Sequence, residues 1–155
     1  MRSIIVSSLL VLLSFSLSAA ELNALLPECK DLRGSVLPNT VENLQVVMRS
    51  NVRNPQVMVT GVVDQILPED HVGLPHQKYT LLVGGKIKIL IVSNLDFGRV
   101  PLKVGSTLSV CGEFKKVGQG MIHWTHFDPH GGHPDGFTIV DGMLYGDKET
   151  FTIYE

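Results

Sequence analysis

The chain is short of charge and of cysteine, and each shortage narrows what it can be. Lys plus Arg number 13 and Asp plus Glu 15, a net charge of −2 over 155 residues. Binders of polyanions carry a basic excess, so nucleic acid is disfavoured as a main partner. Cys29 and Cys111 are the only cysteines, and two so far apart make neither a zinc-finger pattern nor a disulfide-dense scaffold. There is no Gly-x-Ser-x-Gly elbow, no His-Glu-x-x-His pair, no phosphate loop, no internal repeat and no low-complexity segment. The apolar fraction of 44% still suffices for a packed core in one domain.

Long apolar runs are also lacking, save one. Ile4 to Leu17 is apolar apart from serines, follows Arg2, and precedes Ser18-Ala19-Ala20. At about 14 residues the run is short of the roughly 20 a spanning helix needs. A basic start, a short apolar run and small residues at the −3 and −1 positions predict a secretory signal peptide over 1–20, cleaved after Ala20. The expected mature protein is exported, periplasmic or extracellular, with no stable membrane anchor. Export opens two readings of Cys29 and Cys111: a disulfide, or separate thiols with Cys111 buried in a strand.

What remains divides into an N-terminal arm and helix (21–56), a β-domain (57–146) and a C-terminal tail or edge strand (147–155). Asn39 to Arg49 reads as a helix, with Asn39 as cap, Glu42 completing a capping box, and Val41, Leu44, Val47 and Met48 on one face. From Val57 the apolar period becomes two. Strands are expected at Val57–Ile66, with a bend at Gly61, and at Gln77–Val83 after a loop over Pro68–His76. Gly84-Gly85 turns the chain into Lys86–Ser93, and further strands follow at Ser106–Lys115 and Met121–His126. Phe137–Val140 and Met143–Tyr145 form a hairpin around Asp141-Gly142. Short, regularly punctuated strands with a bend glycine in the first predict a mainly β fold. The expected architecture is a small OB-like β-barrel with one N-terminal helix and a C-terminal hairpin, with a β-sandwich as the alternative.

The chemistry concentrates in His123-Trp124-Thr125-His126-Phe127-Asp128-Pro129-His130-Gly131-Gly132-His133-Pro134-Asp135-Gly136, which holds four of the six histidines and the only tryptophan. His123, His126, His130 and His133 are spaced for one helix face, but Pro129, Gly131, Gly132 and Pro134 exclude that helix. On a strand, His123 and His126 would point to opposite faces. Imidazoles suit zinc and other divalent transition metals, and Asp128 or Asp135 would complete or orient such a set. The competing reading is structural: histidines bonded to backbone carbonyls, Trp124 in the core, and Asp-Pro and Asp-Gly as turn signals. His76 and Gln77, entering the second strand, are the remaining candidate contacts.

These residues carry a resemblance. His123-Trp124-Thr125-His126-x-Asp128-Pro129-x-Gly131-x-His133 is similar to the HWTHHDPxGxH pattern of small exported bacterial proteins grouped as domain of unknown function 3465. Leu67-Pro68-Glu69-Asp70, His76-Gln77-Lys78-Tyr79, Leu90–Asp96, Pro101-Leu102-Lys103-x-Gly105 and Gly112-Glu113-Phe114 follow in the family's order. Phe127 stands where that pattern has a second His, Ser93 at its usual His and Phe137 at a usual Trp, which implies a weakened metal site here. The resemblance implies fold and exported location more than a reaction. The expected role is a non-catalytic binding module for a small ligand or protein, with its site at His76, Gln77, His123, Trp124, Thr125, His126, Asp128 and His133. A metal-dependent hydrolase, nuclease-like by analogy with the barrel alone, and a purely structural domain are the alternatives.

Overall fold

The computed structural model describes residues 26–70 and 73–148. The signal peptide expected at 1–20 and most of the expected tail lie outside the described residues.

Among the described residues one α-helix, α1 (Val41–Arg49), precedes seven strands: β1 (Gln56–Asp70), β2 (His76–Val83), β3 (Ile87–Asn94), β4 (Thr107–Lys115), β5 (Met121–His123), β6 (Phe137–Val140) and β7 (Met143–Tyr145). The fold is mainly β, as expected. β1 pairs with β2, β2 with β3, β3 with β5, β5 with β4, and β4 again with β1, so five strands close a ring. All these pairs are antiparallel except β3–β5, which is parallel at Leu90↔Met121 and Ile91↔Ile122. The β6–β7 hairpin extends the sheet from β4.

Alternation decides what the ring encloses. Val57, Val59 and Val63 of β1, Tyr79, Leu81 and Val83 of β2, Ile89 and Ile91 of β3, Leu108 and Val110 of β4 and Ile122 of β5 are buried in one core. Leu44 and Val47 of α1 belong to the same core. Tyr79 has its hydroxyl near Ser93 and Thr138, and burial pushes the phenol up to about 12. Gly61 sits where β1 passes close to β2: a Cβ there would lie 3.0 Å from the Leu82 carbonyl oxygen and 3.1 Å from Val83 Cγ2.

A second, smaller cluster joins the arm to the sheet. Cys29 and Cys111 form a disulfide with Cα atoms 5.6 Å apart. Met58 and Phe137 pack around it. The pairing reading of the two cysteines is therefore the correct one.

Local differences from expectation have local causes. The helix is capped by Thr40, whose hydroxyl accepts from Asn43 N at 3.1 Å, because Asn39 donates its side-chain amide to Thr60 Oγ1 at 2.7 Å. β1 runs on through Pro68, expected in a loop, with register shifts between Val63 and Gln65 and between Leu67 and Asp70. Beyond Val62 it no longer pairs along β4, and a strand paired on one side tolerates Pro. The β2–β3 turn occupies 84–86, and β3 starts at Ile87. β5 ends at His123, not His126.

The disulfide closes a separation of 82 residues, for which chain entropy implies about 4 kcal/mol of stabilisation. The double substitution Cys29→Ser with Cys111→Ser is expected to cost about 2–4 kcal/mol, read as a lower urea midpoint with m raised, because the uncrosslinked unfolded chain exposes more surface. An unchanged midpoint would show that tying down the arm contributes nothing to stability.

Candidate functional site

The His-rich stretch is a loop that leaves and rejoins the same edge of β4. β5 ends with His123 opposite Glu113, and β6 begins with Phe137 opposite Cys111. Only Gly112 separates the two attachment points. Three glycines make room for the crowding. A Cβ on Gly112 would sit 2.6 Å from the His123 carbonyl oxygen, one on Gly136 2.1 Å from that of Trp124, and one on Gly146 2.5 Å from that of Thr125. Trp124 itself takes φ 53°, a left-handed conformation a bulky residue adopts only when its surroundings impose it. That conformation ends β5.

Backbone bonds then fix the loop: Gly136 N donates to the His126 carbonyl at 2.8 Å and Phe127 N to that of Gly146 at 2.7 Å. Within it, Asp128 accepts from His130 N at 2.8 Å and from His133 N at 2.7 Å, and Asp135 Oδ1 accepts from Asp128 N at 2.7 Å. The His130 N–H, then that of His133, hold the Asp128 carboxyl down at about 2. Gln56 donates to the Asp135 carbonyl at 2.9 Å. The two aspartates thus build the loop.

The rings stack around Trp124. Its indole lies 4.5 Å from His133 at 26°, 4.5 Å from His123 at 51°, and 5.7 Å from His126 edge-on. Phe97, from the 3₁₀ turn Leu95–Phe97 capped by Asn94, stacks on His126 at 3.7 Å and 10°. His126 Nδ1 meets the Phe127 carbonyl at 2.6 Å, and His133 Nδ1 that of Pro134 at 2.8 Å. A carbonyl can only accept, so each Nδ1 carries the proton. Burial holds His126 below the ordinary histidine range, so the ring is neutral at pH 7 and its Nε2 is a bare lone pair. That Nε2 is buried and has no hydrogen-bond partner among the described residues. Burial, and then the neighbouring His76, lower His123 to about 4.

A cleft of about 640 Å³ opens here, lined by Phe97, Trp124, His126, Asp128, His130 and His133, with Leu74, Asn94, Asp96, Glu113 and Lys115 also contributing. Of the expected site residues, Trp124, His126, Asp128 and His133 therefore come together. His123 lies behind Trp124, its Nε2 3.4 Å from Nε2 of His76. Thr125 is buried and donates to Ser93 Oγ at 3.0 Å. Gln77 is buried with its amide spent on Val100, donating to its carbonyl at 2.9 Å and accepting its N–H at 3.1 Å. His130 is exposed on the rim.

The four histidines His123, His126, His130 and His133 do not converge: among the described residues no three His, Cys, Asp or Glu side chains are placed to hold one metal ion. The expectation that strand alternation separates His123 from His126 also fails, because the strand stops between them. Phe97, Glu113 and Lys115 escaped the sequence reading. Phe97 follows the Leu90–Asp96 segment with no signal of its own beyond an Asn-capped turn. Glu113 is found only through its register with His123.

Two outcomes follow. Gly136→Ala forces a methyl group onto the Trp124 carbonyl and is expected to lower stability by more than about 3 kcal/mol in urea unfolding; a loss below 1 kcal/mol would show that the loop is not crowded there. His123 titrates at about 4 when folded against an ordinary 6.5, so the unfolded chain binds the proton first as pH falls. The metal-free protein should hold its histidine-linked stability above pH 6.5 and lose it between about 6.5 and 4. Asp128 acts in the same sense but in a lower window, its contribution being lost only below its ordinary 3.8, towards 2. Urea midpoints from pH 7.5 to 4.5 should therefore decline, and decline less in His123→Gln; equal slopes would contradict the buried neutral imidazole.

No curated protein is matched by this chain. Residues 34–146 match the family model described as protein of unknown function (DUF3465). The match takes in α1, all seven strands and the whole His-rich loop, and the chain belongs to the DUF3465 family.

Proposed function

We propose that the protein is a non-catalytic binding module whose cleft takes a small ligand with a planar face and an N–H or O–H donor. One observation carries this reading: the lone pair of His126 Nε2, buried in the cleft wall, is set as an acceptor by the bond from Nδ1 to the Phe127 carbonyl and meets no partner among the described residues. A buried acceptor left unpaired costs about 1–3 kcal/mol, which a ligand donor would recover. Phe97 and Trp124 beside it offer ring faces, and the site as a whole has the apolar lining with a few fixed polar groups that small-molecule pockets share. Two of the charged groups on the wall are already engaged, Asp128 with the loop backbone and Glu113 with Lys115. The neutral acceptor and the rings share this wall, to which the exposed Asp96 contributes charge. The Cys29–Cys111 bond supports the expected exported location, since disulfides persist in oxidising compartments.

The test is a fragment screen by ligand-observed NMR on the purified protein. Planar heterocycles bearing an N–H donor are expected to bind, and to lose at least tenfold in affinity in His126→Phe, which keeps a ring against Phe97 and removes the acceptor. Hits retained in His126→Phe, or an absence of hits among such donors, would sink the reading and leave a structural domain in its place.

A further inference from the structure

A second arrangement of ligating groups lies outside the cleft. His76 is the first residue of β2 and His123 the last of β5, and the ring brings them face to face at one end of β3. Their Nε2 atoms are 3.4 Å apart, and the ring planes are tilted by 47° with centroids at 5.4 Å. As a hydrogen bond this contact is at the long limit, beyond the roughly 2.7–3.2 Å usual for N–H donors to oxygen. It is the spacing of two ligands on one tetrahedral ion: metal–nitrogen bonds of about 2.0–2.1 Å at the tetrahedral angle separate two nitrogens by about 3.3–3.4 Å.

Two anchored strand ends supply this geometry, and the register supplies the surroundings. His123 is the cross-strand partner of Glu113, and His76 that of Asn94. Direct partners in an antiparallel pair stand on one face with their Cβ atoms about 5 Å apart. Glu113, buried and paired with Lys115, thus brings a carboxylate to the histidine side of the sheet.

We infer that His76 and His123 form an open two-histidine site for a divalent transition metal ion, zinc foremost. The two imidazoles supply two of four coordination positions. Among the described residues no third ligating side chain converges with them, which leaves the other positions to water or to a small exogenous ligand. Imidazole donors suit zinc, copper and nickel over calcium or magnesium. The inference does not rest on the cleft reading, because neither histidine lines the cleft.

The experiment uses the untagged, chelator-treated chain titrated with zinc chloride, followed by calorimetry and by long-range ¹H–¹⁵N correlation of the imidazole nitrogens. The expected result is one zinc per chain, with Nε2 of His76 and His123 shifted together and the other imidazoles unmoved. His76→Ala and His123→Gln should each weaken zinc binding at least tenfold while keeping the wild-type far-ultraviolet circular dichroism. The nuclear resonance readout needs no variant, so a substitution that fails to fold does not blunt the test. No zinc uptake at 100 μM, zinc shifts centred on His126, His130 or His133, or undiminished binding in both variants would each overturn the inference.

Discussion

The site depends on the edge of β4 between Glu113 and Cys111. β5 arrives at one of these residues and β6 departs from the other, so the whole loop 124–136 is folded out of a gap one residue wide. Such a return is possible only where side chains are missing, hence Gly112, Gly136 and Gly146, and where the backbone accepts a left-handed turn, hence Trp124 at φ 53°. A loop pressed against a sheet must also find partners for its N–H groups. Asp128 and Asp135 supply them from inside the loop. The histidines and the indole then project from a wall whose shape is fixed by the loop's own hydrogen bonds.

The same packing determines the electrostatic character of the wall. His126 is held below the ordinary histidine range by burial, and Asp128 below the usual carboxylate range by backbone N–H groups. One is neutral and the other ionised at pH 7, although they lie two residues apart in one loop. Charge is thus drawn into loop construction, and hydrogen-bond acceptance is left to face the cleft.

Much of the fold was legible in the residues. The alternation at Val57, Val59 and Val63 marks the inner face of β1, and Asp141-Gly142 marks the last turn, where Asp141 has φ 50° and Gly142 φ 76°. What escaped was set by distant partners. Asn39 and Thr40 are both good caps, and the choice between them was made by Thr60 across the sheet. β5 looks like a strand to His126 until Gly112 and Gly146, remote in sequence, allow the chain to turn at Trp124. The stretch His123–Gly136 was found by its composition alone. Which of its side chains face the cleft could not be, since period-two reasoning ends where Trp124 turns left-handed. Gln77, entering β2, and Thr125, in the His-rich stretch, show the converse: polar and well placed in sequence, they are absorbed by Val100 and Ser93.

The ring is closed by its shortest member. β5 contributes three residues and meets β3 through Leu90↔Met121 and Ile91↔Ile122 alone, a parallel contact between segments well separated in the chain. Pairings of that kind form late, since their loop entropy must be met before the contact stabilises anything. They also open first, because few backbone bonds must break. The closure seam of the sheet is therefore its kinetic weak point, and His123 is the last residue of that seam. Amide exchange through β5 would report, in one measurement, both the integrity of the ring and the assembly of the histidine-bearing face.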